Sequence, residues 1–346
     1  MNKLFSVFIK PTMGCNLGCS YCYHNHNDVN KRFEKMTLET IEQIYKKLEN
    51  YETVKIAWHG GEPLMMGVDW FRDAVELQKK YKMKFINNMQ SNITLLDQEW
   101  ISFFKENKFG VGTSLDGVKE LHDQMRNNSF NKVVPGIIAL KNEGVDVAAI
   151  TVITPESLPY LFDSFKLFQQ LNLNIRINPA IKCSGSNKVT ETNSKVYEFA
   201  GKFLWDLWLG SDKSMELRPM NYMYNYVQTL KKQSLFGNNC AGGANVLPDG
   251  AAYICSKFLG NDIGYIGNVN SPDFCFGLKN PHSLKYYKMN SERIKKCVEC
   301  TYFEVCRGGC FYNGLMNENK EDIFCEAYKQ IFRHVVIRAQ QVRCVP

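Results

Sequence analysis

The sequence predicts an α/β fold: an open, partial (β/α)6 barrel followed by a small, irregular, cysteine-rich segment. Three observations predict it. Six β-branched or aromatic runs alternate with helical patterns through the first half of the chain. Glycine, cysteine and polar residues gather at the carboxyl ends of those runs, where a parallel barrel collects its chemistry. From residue 237 the periodicity stops and cysteines accumulate instead.

The runs are LFSVFIK, TVKIAW, MKFINNM, FGVGTSL, VDVAAITVI and LNIRIN. Helical patterns lie between them over 37–49, 68–81, 97–106, 130–142 and 157–171. In the first, Leu38, Ile41, Tyr45 and Leu48 share a face and Thr37 stands at the N-cap. Strands alternating with helices imply parallel pairing with right-handed crossovers, and six units are too few to close an eight-stranded barrel. The expected divisions are the barrel at 1–185, a helical, aromatic-rich bridge at 186–236, the cysteine-rich segment at 237–330 and a closing helix and tail at 331–346. The third of these has no periodic apolar face, so metal rather than a core is expected to hold it.

A chain of 346 residues with 45% hydrophobic and 13% aromatic residues has ample core, which excludes global disorder. The net charge of +7 is mild and dispersed, without a basic stripe, so no nucleic-acid role is expected. No run of about 18 apolar residues exists, so no membrane span is expected. The first residues, MNKLFSVFIKPT, lack a small-residue cleavage site. A cytoplasmic location is therefore expected, where the 13 cysteines read as metal ligands rather than disulfides.

The stretch GCNLGCSYCYH sets Cys15, Cys19 and Cys22 in a C-x3-C-x2-C spacing. Three thiolates leave one position open. A zinc site completed by His24 or His26 is one reading, and a [4Fe–4S] cluster with one free iron is the other. HGGEP (59–63), QSN (90–92), SLDG (114–117) and NP (178–179) stand at the ends of later strands, so separate segments converge on one mouth.

Residues 4 to about 180 resemble the radical SAM superfamily. The resemblance rests on the cysteine spacing, on Tyr21 before the third cysteine, and on Gly60, Gly61, Glu62 and Pro63 as the family's GGEP element. It implies that Cys15, Cys19 and Cys22 hold a [4Fe–4S] cluster whose open iron chelates S-adenosylmethionine (SAM). One-electron cleavage of SAM then yields a 5′-deoxyadenosyl radical. The cofactor-binding set it implies is Tyr21, Gly60, Gly61, Glu62, Gln90, Asn92, Ser114, Asp116, Arg126 and Ile175. Glu62 suits the methionyl ammonium, Ser114 and Asp116 suit the ribose hydroxyls, and Arg126 suits the methionyl carboxylate. An ion pair within the loop is the alternative for Asp116 and Arg126.

The later cysteines resemble a SPASM domain over about 237 to 330. Cys240 and Cys255 are followed by Cys297-x2-Cys300-x5-Cys306-x3-Cys310 and then Cys325. The resemblance implies two auxiliary [4Fe–4S] clusters, three clusters in all. Cys297, Cys300, Cys306 and Cys325 would hold the distal one, and Cys240, Cys255 and Cys310 the proximal one. Cys183, Cys275 and Cys344 are left over as small apolar side chains, with Cys183 also a candidate hydrogen-atom donor.

WHGGEPLMMGVDWF and SLDGVKELHDQMR are similar to stretches of anaerobic sulfatase maturases, which oxidise a cysteine or serine to formylglycine. That family places an aspartate base directly after the cysteine matching Cys255. Here Ser256 stands there, followed by Lys257. A neutral hydroxyl does not replace a carboxylate base at neutral pH. The expected function is therefore maturation of a ribosomally made precursor peptide through an oxidative crosslink. The auxiliary clusters accept the second electron, and a flavodoxin or ferredoxin type protein is the reductant. Formylglycine formation, peptide epimerisation and small-molecule dehydrogenation are the other enzymatic readings, and an iron–sulfur sensor is the non-enzymatic one. The first strand opens the chain, so the peptide is expected to be read by the barrel mouth, the bridge helices or another protein.

Overall fold

The computed structural model describes residues 2–23, 34–181, 191–229, 243–259 and 261–343. The chain alternates from the start. Strand β1 (Asn2–Thr12) is followed by α1 (Leu38–Lys47), β2 (Tyr51–Gly60), α2 (Val68–Gln78), β3 (Lys84–Gln90) and α3 (Gln98–Glu106). Then come β4 (Gly110–Ser114), α4 (Lys119–Met125), α5 (Phe130–Asn142), β5 (Val147–Ile153), α6 (Leu161–Gln170) and β6 (Asn174–Pro179). Each of β1 to β6 pairs in parallel with the next, which is the barrel that the alternation predicts. Thr37 caps α1 by accepting from the Thr40 amide, as its position in the sequence implies.

The alternation of burial sets the two faces of the sheet. Phe5, Val7 and Ile9 of β1 and Val54, Ile56 and Trp58 of β2 are buried under the helices. Lys10, His59, Gln90 and Ser114 therefore belong to the concave face. The strands' carboxyl ends bring these side chains, with the cysteine loop, to one mouth.

Three local expectations are corrected. The pattern over 157–171 is not one helix: a 3-10 turn at Pro155–Tyr160 precedes α6. Pro159 has no N–H for an α-helical bond and its ring crowds the preceding turn. The segment after SLDG, read as loop, contains α4. That helix is only seven residues long, too short to declare a period.

The third correction concerns the cysteine-rich segment. The elements after β6 are α7 (Ser194–Leu209), β7 (Leu217–Arg218), α8 (Met220–Thr229), β8 (Gly243–Val246), β9 (Ala251–Tyr253) and β10 (Tyr265–Asn268). They continue as α9 (Pro281–Ile294), α10 (Phe303–Cys306), α11 (Phe311–Leu315) and α12 (Cys325–Arg343). The sheet is ten-stranded, ordered β10-β9-β8-β1-β2-β3-β4-β5-β6-β7, rather than six-stranded. Strand β8 lies parallel to β1, and β9 and β10 add antiparallel strands beyond it. Val246, Ile254, Phe258 and Ile266 are buried in the same hydrophobic cluster as Trp58 and Ile175. Phe276 packs on Phe5, ring centroids 5.4 Å apart. A shared core thus holds this segment, whatever metal adds. Its strands are three or four residues long, which hides their alternation from a sequence reading.

The closing helix α12 packs back on the bridge. Tyr197 of α7 meets the rings of Phe324 and Tyr328, and Gly201 leaves room for Ile331. Asp206 accepts from Arg338 at 2.9 Å and lies 2.9 Å from His334.

Candidate functional site

The GGEP element braces the cysteine loop through the backbone. The Gly61 amide donates to the Thr12 carbonyl (3.0 Å) and the Glu62 amide to the Gly14 carbonyl (2.7 Å). A Cβ on Gly61 would lie 2.0 Å from the Gly14 oxygen, and Gly60 has φ +132° beside the Thr12 carbonyl. Only glycine permits this approach.

The three cysteines here are half-buried, and two of them face donors. Cys15 Sγ accepts from the Leu17 amide (3.4 Å) and from Asn92 Nδ2 (3.8 Å). Cys19 Sγ faces Arg126 Nη1 at 3.9 Å. Burial pushes the Cys15 thiol up to about 11 and raises that of Cys19, which Arg126 offsets in part. Without metal these thiols keep their protons, and a bound metal displaces them. N–H donors aimed at sulfur suit that thiolate form.

Glu62 is fully buried and held by three donors. Oε1 accepts from the Leu64 amide (2.9 Å) and the Ser91 hydroxyl (2.7 Å), and Oε2 from the Asn92 amide (2.7 Å). Desolvation raises this carboxyl to about 7 against the pull of those bonds. A carboxylate has about four acceptor positions, so about one is left for a ligand cation. Asn92 joins Asn16 Oδ1 at 2.9 Å, while Gln90 spans to the Thr113 carbonyl at 3.1 Å. Ser91, which the resemblance leaves out of the cofactor-binding set, is a hydroxyl at a strand end that holds Glu62.

Asp116 and Arg126 form the buried ion pair that was the alternative reading. Asp116 Oδ2 accepts from Arg126 Nε (2.8 Å) and from the Tyr21 hydroxyl, and Oδ1 from the Val152 amide (3.0 Å). The guanidinium sits 5.2 Å from the Tyr21 ring centroid. These bonds take three of the roughly four acceptor positions of Asp116, so, like Glu62, it keeps about one for a ligand group such as a ribose hydroxyl. Arg126 keeps only its outer nitrogens for other partners. His122, buried and lowered to about 4 by desolvation, accepts the Asp116 amide on Nδ1 and meets Ser129 on Nε2. Ser114 is half-buried at the end of β4. Ile175 is 1% exposed in the core, on the face of β6 opposite Arg176 and Asn178, so its side chain is removed from the mouth.

Farther along, Cys297, Cys300, Cys306 and Cys325 all line one pocket. The turn between Cys306 and Cys310 is left-handed throughout, with φ of +53° at Arg307, +84° at Gly308 and +73° at Gly309. Asp322, absent from the sequence reading, fastens it. Its Oδ2 accepts the Cys310 amide (2.6 Å), and its Oδ1 accepts Asn313 Nδ2 (3.0 Å) and the Phe324 amide (2.9 Å).

Beside that turn, Lys257 Nζ donates to Cys310 Sγ (3.3 Å) and to Asn313 Oδ1 (3.3 Å). The Ser256 hydroxyl donates to Asn245 Oδ1. Lys10 is 0% exposed, and its charge is felt by both Cys22 and Cys255. Burial lowers its ammonium to about 7. Cys275 is half-buried in the same half of the chain. Cys183, Cys240, Cys344, His24 and His26 lie outside the described residues. Among the described residues, no group of three or more His, Cys, Asp or Glu side chains is set to hold a single metal ion, and ten cysteines are free. No helix among the described residues is long and apolar enough to cross a membrane.

Residues 9–167 match the radical SAM superfamily. The chain is 28% identical to the cysteine-type anaerobic sulfatase-maturating enzyme of Clostridium novyi, over 95% of each chain. It is 29% identical to the serine-type enzyme of Bacteroides thetaiotaomicron, over 96% of this chain and 90% of that one. Among solved structures, anSMEcpe with bound AdoMet superposes with a TM-score of 0.85 at 27% identity, covering 98% of both chains. Streptococcus suis SuiB bound to the precursor peptide SuiA shares the fold, with a TM-score of 0.68 at 15% identity over 94% of this chain and 76% of that one.

Proposed function

We propose that the radical SAM domain of residues 9–167 serves, in this chain, a maturase that oxidises a residue of a peptide or protein. The chain is an enzyme, and its domain takes SAM and a [4Fe–4S] cluster. The observation that carries the reading is the convergence at one mouth of three half-buried cysteines, two of them facing donors, with the GGEP strap and a buried Glu62 with an acceptor position to spare.

On this reading Cys15, Cys19 and Cys22 hold the cluster, with Asn92 and Arg126 supporting two of the sulfurs. Gly60, Gly61 and Glu62 receive the methionyl end of SAM. Gln90, Asn92 and Ser114 line the remainder, and Tyr21, Asp116 and Arg126 fix the cysteine loop to β4 and β5. The bound cofactors supply one-electron cleavage of a carbon–sulfur bond and a carbon radical that abstracts hydrogen.

We assign Cys297, Cys300, Cys306 and Cys325 to one auxiliary cluster, which the pocket they share supports. Cys240, Cys255 and Cys310 are assigned to another, for three clusters in all. Residues 1–185 then carry the radical chemistry, 237–330 the auxiliary sites, and 186–236 with 331–346 the helices that join them. A flavodoxin or ferredoxin type reductant and a cytoplasmic setting complete the proposal.

The product is the finer question. Ser256 offers a hydroxyl already committed to Asn245, not a carboxylate base. This favours an oxidative intramolecular crosslink in a precursor peptide. Formylglycine formation is the second reading, favoured by the similarity to sulfatase-maturating enzymes along the whole chain. One experiment separates them: anaerobic turnover of the reconstituted protein with a sulfatase-type cysteine or serine peptide, and with candidate precursor peptides, followed by mass spectrometry. A precursor peptide losing two hydrogens, with no aldehyde in the sulfatase peptide, is expected. Efficient aldehyde formation would overturn the crosslinking reading. Changing Cys15, Cys19 and Cys22 together to alanine should abolish 5′-deoxyadenosine formation, and wild-type cleavage in that variant would sink the whole assignment.

A further inference from the structure

The Cys255–Cys310 neighbourhood carries positive charge that the oxidation does not by itself explain. Lys257 Nζ lies 3.3 Å from Cys310 Sγ, within reach of Asn313 Oδ1, and 5.9 Å from the Tyr312 ring centroid. The carboxylate nearest in this network, Asp322, spends its oxygens on the Cys310 amide, Asn313 and the Phe324 amide. The ammonium of Lys257 is thus turned to sulfur.

We propose that Lys257 is a positioning residue that raises the reduction potential of the cluster held by Cys255 and Cys310. This rests on the preceding assignment of those cysteines as cluster ligands. The physical argument is short. Reduction adds one negative charge to an already anionic cluster. A fixed cation and an N–H···S bond stabilise the reduced form more than the oxidised one, which raises the potential. Lys257 contacts the auxiliary side. In turnover, the substrate radical left after hydrogen abstraction loses one electron and one proton. The cluster takes the electron, the proton leaves to solvent, and an external carrier reoxidises the cluster.

The test is a potentiometric titration, followed by electron paramagnetic resonance, in a background where Cys15, Cys19 and Cys22 are alanine. Lys257→Met should lower one of the two auxiliary midpoints by about 59 mV, a tenfold change in a one-electron equilibrium. The other midpoint should stay in place, and Lys257→Arg should restore the first. If Lys257→Met does not assemble the cluster, Lys257→Gln is measured for the same shift. Two unmoved midpoints with full iron would overturn the proposal while leaving the ligand assignment intact. Roughly four irons in place of about eight in the background protein would instead overturn the assignment itself.

Discussion

At Glu62 a carboxyl group is kept from water by the strand ends around it and held by Leu64, Ser91 and Asn92. Its folded value of about 7 stands above the ordinary 4.5, so between those values the folded protein binds a proton that the unfolded chain has lost. Stability from this group is fully present below about 4.5 and is lost as pH rises through 7. The metal-free protein should therefore melt at a lower temperature at pH 8 than at pH 5.5, as far as Glu62 decides. Glu62→Gln should lower stability at both values, because it loses the Asn92 bond, and should flatten the slope between them. Melting curves of both proteins across that range check this, and an undiminished slope in the variant would refute it. Asp116 makes a contrasting case. Its charge is matched by Arg126 and by hydrogen bonds, and removing one partner of such a pair leaves the other buried and unpaired.

Two short elements do the positioning. The GGEP strap runs against Gly14 so closely that a single methyl group at residue 61 meets backbone oxygen at 2.0 Å. Backbone cannot swing aside as a side-chain tip can, so Gly61→Ala must displace the cysteine loop. The expected outcome is loss of roughly a third of the iron, that of the N-terminal site, with the auxiliary sites retained. Iron analysis with 5′-deoxyadenosine assay reads this out, and full iron with normal cleavage would contradict it. The Cys306–Cys310 turn uses glycine for a different reason. There positive φ runs through Gly308 and Gly309, and a Cβ on Gly309 would meet Asp322 Cβ at 2.6 Å.

The sheet makes the molecule one body. Strand β8 covers the edge of β1, Phe276 lies on Phe5, and α12 closes on α7. A chain ending at residue 236 would expose that edge and strip the face of α7, although the first six barrel strands would all be present. Such a truncation should aggregate or lose the cooperative melting transition. A monomeric 1–236 fragment with a sharp transition would show that the barrel stands alone.

The sequence by itself determined the six parallel strands of the barrel and most of its helices, since these are long enough to display their own period, as the seven-residue α4 is not. It also determined the cysteine sets and the GGEP element, because their spacing is a local property. The helical bridge and the closing helix were legible for the same reason. What only the tertiary structure decided were contacts between residues far apart in the chain. Ser91 reached Glu62, Arg126 took Asp116 and turned toward Cys19, and Lys257 came against Cys310. Strands of three or four residues carry too few side chains to show a pattern, so the joining of the cysteine-rich segment to β1 was hidden until the sheet was assembled. Ile175 marks the same limit from the other side: the resemblance put it in the cofactor-binding set, and the alternation of the strand put its side chain in the core.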